Sequence, residues 1–274
     1  MRVVGHVLHT LPDGEPVWGV TSLDNLIYVP RGFKTAEQVI EVYDMDSYRL
    51  QRCLTVPGLR AIADMAACAH NSCAYISDWA DKCIHRVGLP EGADVTSWPV
   101  DDEPTHLSVT DTHSVLVTCD KVRKIKEFST DDKLLREIQL PQDVTSPFHT
   151  VQLSNGQFIV CHGGCGDRVC LIGSDGCIVK SFGGPKGPGS QQMIMPVHLA
   201  VDENGFVFVV DYNNARVRLL SPELTHVRDV VSRDQLKWHP LRLSVDVHRR
   251  RLYVAVNEVN DGRWTTRRIV VVSV

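Results

Sequence analysis

Three histidines recur at one place in a repeated pattern. His106, His149 and His198 each stand two residues after a proline, at Pro104, Pro147 and Pro196. Neutral imidazoles are good ligands for zinc and related ions. If the three segments were neighbours, their imidazoles would face one another. The same offset holds Trp18 after Pro16 and Arg242 after Pro240, and Arg60 is the nearest match after Pro57. Arg and Trp fit a zinc cage poorly, and calcium would need Asp, Asn and Glu instead. The expectation is therefore no bound metal and no cofactor. Should a metal bind, His106, His149 and His198 would be its ligands. The plainer alternatives are packing between neighbouring segments, with the rings bonded to backbone, or ligand contact at the mouth of a channel.

The cysteines are a weaker signal. Cys161, His162, Cys165, Cys170 and Cys177 fall within CHGGCGDRVCLIGSDGC, but a zinc knuckle pairs one C-x2-C with a second pair. Cys68 and Cys73 flank the turn 69–72 and could meet across a hairpin, where a disulfide needs favourable geometry. Nine Cys in all, an odd number without scaffold spacing, read as mostly reduced thiols of a cytoplasmic protein. Hydrolase elbows, H-E-x-x-H and phosphate-binding glycine loops are missing from the sequence. The expectation is accordingly a protein that is not an enzyme.

The elements that position these residues come from a repeat. Six prolines (16, 57, 104, 147, 196, 240) precede short apolar runs at spacings of 41, 47, 43, 49 and 44 residues. The clearest copy is MPVHLAVDENGFVFVVDYNNARVRLLS, where apolar runs end at Asp202–Gly205, at Asp211–Asn214 and at Ser221-Pro222. Such runs between Asn, Asp and Gly clusters are hairpin-linked antiparallel strands. A period in the mid-forties with four strands per unit predicts an all-β, six-bladed β-propeller. The blades are expected at about 12–54, 55–101, 102–143, 144–190, 191–234 and 235–274. The last has only three strands before Val274, so the strand predicted over 2–11 should close the ring against it. One propeller domain then accounts for the whole chain.

Blade five carries a resemblance. Pro196, Leu199, Val201, Asp202, Gly205, Val207, Val209, Asp211, Asn214, Arg216 and Val217 follow the pattern of an NHL repeat. Asp78 matches in blade two, with Lys82 at the basic position. Arg123, Arg168 and Arg268 match in blades three, four and six, where Cys119, His162 and Asn257 replace the Asp. The chain thus resembles the propeller of tripartite-motif NHL proteins, which implies recognition of a protein or an RNA rather than catalysis. NHL-type amidating lyases hold zinc through a channel His directly after the Pro. Thr105, Phe148 and Val197 occupy that place here, a slip of one residue that turns the side chain to the other face. The Asp211 and Arg216 pair is expected to brace a hairpin.

The loops between second and third strands emerge on one face, together with those leading into each new blade. They carry Phe33, Trp79, Tyr212, Trp238 and Trp264, with Arg31, Lys34, Lys121 and Arg263. Aromatics and Arg on loops are the residue types of binding hot spots. A protein or peptide partner at this top face, centred on the channel mouth, is the leading expectation. Single-stranded RNA is an alternative, because residues 236–274 carry an excess of five positive charges in a chain of net charge −4; phosphate contact and base stacking would use them. But Arg249–Arg251 fall on the opposite face from Trp264. A metal-dependent lyase or hydrolase with a channel His site is the third reading. No run is long enough for a membrane helix, and the isolated domain is expected to be monomeric.

Overall fold

The computed structural model describes residues 5–32, 38–164, 166–260 and 263–274, with the side chains of 258–267 left aside. Phe33, Lys34 and Cys165, and the side chains of Arg263 and Trp264, lie outside the described residues.

Six four-stranded antiparallel sheets form the ring. Blade one is β2 (Thr21–Leu23), β3 (Leu26–Arg31), β4 (Val39–Asp44) and β5 (Leu50–Thr55). Blade two is β6 (Ile62–Cys68), β7 (Cys73–Asp78), β8 (Cys83–Gly88) and β9 (Thr96–Pro99). Blade three is β10 (His106–Val109), β11 (Val115–Cys119), β12 (Lys124–Phe128) and β13 (Leu134–Gln139). Blade four is β14 (Ser146–Gln152), β15 (Phe158–Gly163), β16 (Asp167–Ile172) and β17 (Ile178–Gly184). Blade five is β18 (Pro196–Val201), β19 (Val207–Asp211), β20 (Arg216–Leu220) and β21 (His226–Val231). Blade six is β22 (His239–Asp246), β23 (Arg251–Asn260) and β24 (Arg263–Ser273), completed by β1 (Val7–Thr10).

Burial explains the sequence pattern of the strands. A second strand is covered on both faces by neighbouring blades, so all six residues of β7 are buried and it reads as a continuous apolar run. An outer strand such as β5 is mostly exposed. The core is accordingly a set of interfaces between consecutive blades, such as Tyr28, Ile40 and Val42 of blade one against Met65, Ile76 and Val87 of blade two.

Closure takes the expected form. Val7 pairs with Val272 and Thr10 with Val270 on the outside of β24. Gly5 N–H donates to the Val230 carbonyl at 2.8 Å, and Gln235, in the one-turn helix α1 (Arg233–Leu236), donates to the Gly5 carbonyl at 2.6 Å. A Cβ at Gly5 would lie 2.6 Å from the Ser273 carbonyl oxygen, so only glycine passes under the last strand.

Candidate functional site: the axial channel and its mouth

The innermost strands carry a register shift near their start: between Ile62 and Asp64, Pro147 and Thr150, Pro196 and His198, and Pro240 and Arg242. The extra residue is a β-bulge, which re-aims the next side chain. In blade five the residue after the bulge is His198, opposite Val210. The corresponding residues are His106, His149 and Arg242 in blades three, four and six, as the Pro spacing predicts. In blade two the same place is held by Asp64, opposite Ser77. Arg60, the residue expected there, is corrected by this register: it precedes β6, its side chain is 70% exposed, and its guanidinium bonds Asp81. The loop after Pro57 is longer than in the other blades, so counting from the proline fails. Counting back from the turn 69–72, where Cys68 pairs with Cys73, finds Asp64. Val17 bridges Arg31 and Thr21 pairs with Tyr28, which gives Gly19 the blade-one place and moves Trp18 off the ring into the mouth above it.

Asp64 is the electrostatic centre. Its carboxylate is 2% exposed and lies 3.4 Å from Arg242 Nε, 3.5 Å from His106 Nδ1 and 3.8 Å from His198 Nε2. The Met65 and Leu107 amides donate to it at 2.9 and 3.2 Å. Burial works against its charge, but Arg242 and the surrounding histidines outweigh that and hold its pKa well below the usual carboxylate range. Burial, with Arg242 adding repulsion, pushes His106 down to about 4. Burial likewise takes His149 to about 4 and His198 well below its ordinary value, His149 being the next cause. At neutral pH the ring is one ion pair among neutral imidazoles.

The imidazoles meet as expected: His149 stacks on His198 with centroids 3.8 Å apart, and His106 stands edge-on to both at 6.1 and 6.4 Å. His149 Nε2 also bonds the Leu107 carbonyl at 3.0 Å, a tie between blades three and four. His149 Nδ1 and His198 Nδ1 have no hydrogen-bond partner. Donor atoms of Asp64, His149 and His198 lie within 4.8 Å of one another, one of two such metal-competent groups among the described residues.

Above the ring the channel widens into a cavity of about 350 Å³ lined by Trp18, Phe148, Met195, Val197, Tyr212 and Leu241, with His106, Arg242 and Asn257 at its base. Phe148, Val197 and Leu241 are the bulge residues themselves, so the irregularity that sends a polar side chain to the axis sends an apolar one to the mouth.

The rim departs from expectation in two places. Tyr212 is buried, 7% exposed, against the His239 ring; it walls the mouth rather than standing on the surface. Arg31 is also buried, ion-paired with Glu41. Its cost of desolvation is met by a countercharge and two backbone carbonyls. Trp79 is half-buried, and Trp238 is half-buried under the Arg268 guanidinium, 4.2 Å from its ring. Lys121 is exposed and bonds Glu103.

The cysteine expectations resolve similarly. Cys68 and Cys73 are opposed but free. Cys161 lies in the core, while Cys170 faces His162 at 3.5 Å and Cys177 is exposed on an outer turn, so the three described blade-four cysteines do not converge on one another. Asp211 and Arg216 form the expected pair at 2.8 Å.

No protein-family model matches the chain, and no curated protein matches it in sequence. Solved structures do match in shape. A virginiamycin B lyase from Staphylococcus aureus superposes with a TM-score of 0.65 at 12% identity, over 96% of this chain and 99% of that one. A streptogramin B lyase gives 0.66 at 13%, over 97% and 85%. The β-propeller domain of Cps50 (Swd1) from Myceliophteria thermophila gives 0.60 at 11%, over 98% and 99%. The chain is a six-bladed β-propeller. Lyases and the Cps50 (Swd1) β-propeller domain are both similar to the chain in shape, so the likeness stops at the fold. The NHL resemblance rests on the sequence motifs alone. No helix among the described residues is long and apolar enough to cross a membrane.

Proposed function

We propose that the protein is a non-catalytic recognition module that binds a peptide segment of a partner protein at the mouth of its channel. The observation that carries this reading is the mouth cavity, with six apolar or aromatic side chains above a polar base. Concave sites of this size and lining suit an apolar anchor residue flanked by polar contacts. The channel histidines support the reading as structure: they are neutral, packed against one another, and one ties two blades together. RNA is less well served. Among the described residues, the one cation lining the mouth, Arg242, is buried and already paired with Asp64, whereas phosphate binding needs accessible charge.

The test is selection of a displayed peptide library against the purified chain, followed by calorimetry of the selected sequences. The reading expects peptides with a large apolar residue whose binding is lost in Met195→Glu and weakened at least about tenfold in Phe148→Ala, as for a hot-spot contact. Asn155→Ala, at an exposed hairpin turn, should change nothing. Selected peptides indifferent to both mouth substitutions would refute it.

A second reading, a metal-dependent lyase or hydrolase, is favoured by one observation: the converging donors of Asp64, His149 and His198. Arg242 opposes it by occupying the electrostatic place of a cation beside Asp64. Metal content lost in His149→Ala and His198→Ala together would favour the enzyme.

A further inference from the structure

Comparing blades with one another isolates a site in blade two. At the end of the second strand and on the third, each blade sets three residues side by side. In blade five they are Asp211, with Arg216 opposite it and Arg218 two residues further along. The buried Asp211 carboxylate lies 2.8 Å from Arg216 Nε and 3.8 Å from Arg218 Nε. The same register in blade two gives Asp78, with Cys83 opposite it and His85 two residues on. The carboxylate is kept and both guanidiniums are replaced by metal-ligating side chains.

Asp78 is fully buried and binds the backbone of two loops, accepting from the amides of Arg60 and Ala61 before β6 and of Ala80 and Asp81 after β7. Within 4 Å its one charge partner among the described residues is His85, at 3.7 Å. Arg60 donates to Asp81 instead. Cys83 Sγ lies 3.3 Å from the same His85 Nε2, and His85 Nδ1, on a ring 4% exposed, has no partner.

We propose that Asp78, Cys83 and His85 bind a thiophilic divalent cation of the zinc type, which takes the part that the arginines play in blade five. The spacing suits it: ligands about 2.0–2.3 Å from a tetrahedral zinc stand about 3.4–3.6 Å apart, against the 3.3 and 3.7 Å found here. The donor set is one thiolate, one imidazole and one carboxylate, a soft-to-borderline combination. Burial, then the charges of Asp78 and Asp81, push the Cys83 thiol up to about 11. Those same negative charges attract a cation, which deprotonates the thiol on binding and releases the proton to water. Cys83 is part-exposed at the top rim, which leaves the fourth position to water or to a donor from a partner.

The experiment is titration of the reduced, full chain with cobalt(II), read by absorption, with zinc affinity by competition against a chromophoric chelator. A stoichiometric sulfur-to-cobalt charge-transfer band is expected, absent in Cys83→Ala and unchanged in His198→Ala, which perturbs the channel instead. His85→Ala should weaken zinc by more than about 100-fold, beyond what loss of an outer-shell partner costs. Cys83→Arg should rebuild the blade-five pair with Asp78, fold without metal and give no band, which keeps the test decisive if Cys83→Ala misfolds. No thiolate band in the unaltered chain, or a band that survives either Cys83 substitution, would overturn the proposal.

Discussion

Replacing Arg242 with Met is the sharpest probe of the channel. Methionine retains most of the apolar stem and deletes the charge, so Asp64 keeps two backbone donors at 2.9 and 3.2 Å and loses its countercharge at 3.4 Å. Removing one member of a buried pair costs about 3–5 kcal/mol because the other is left uncompensated. The retained amides place the expected loss near the lower end, about 3 kcal/mol. Asp64→Asn should cost about 2 kcal/mol, since Arg242 still donates to the Ala63 carbonyl but keeps a buried charge. The double variant removes both charges and should lose clearly less than the sum, with a coupling of at least about 1.5 kcal/mol. Urea unfolding of the four proteins, followed by tryptophan fluorescence and circular dichroism, closes the cycle. Additivity to within about 0.5 kcal/mol would mean that the pair does not organise the axis, and the account of the low Asp64 pKa would fall with it.

The neutral histidines set an acid limit. His106 and His149 are held at about 4 against an ordinary 6.5, so between those values the unfolded chain takes up protons that the folded chain refuses. Stability should fall as pH drops from about 6.5 to 4, by roughly 1 kcal/mol per unit for each histidine; urea midpoints that stay flat across that window would contradict it. Gly19→Ala puts a Cβ 3.1 Å from Pro30 Cγ and 3.3 Å from the Met65 amide nitrogen, and should cost about 1–3 kcal/mol by forcing blades one and two apart, read as a lower melting temperature. Asp211→Ala leaves Arg216 and Arg218 with Asp229 as their one remaining countercharge among the described residues and removes the buried acceptor of the Ile194 amide and the Asn214 side chain, so it should cost about 1–3 kcal/mol, whereas the exposed Lys121→Ala should change stability by less than about 0.5 kcal/mol.

The blade count and closure were legible because proline anchors and Asn/Asp/Gly turns are local signals that repeat. The three histidines were legible for the same reason, since blades three, four and five keep one spacing between proline and axis. Asp64 was hidden by the longer loop after Pro57: an axial position is fixed by hairpin register, and register is counted from the turn, not from the loop that precedes the strand. The burial of Tyr212 and Arg31 was not legible, because residue type and loop position do not say whether a side chain turns outward. Tyr212 found an apolar wall to complete, and Arg31 found Glu41. The Asp78, Cys83 and His85 group needed two registers compared side by side, which no linear motif supplies.

The strand that closes the ring gives the molecule a mechanical polarity. Val7, at the start of β1, pairs with Val272, near the end of β24, so tension on the two chain termini opens this ladder from one end, a hydrogen bond at a time. Force applied across an interior blade would instead have to shear several strands together. A pull through the ends should therefore unlatch the seam between blades six and one at low load and leave the other interfaces standing. A cargo tethered at either terminus would act on the least resistant joint of the wheel, some distance from the mouth where a ligand is proposed to bind.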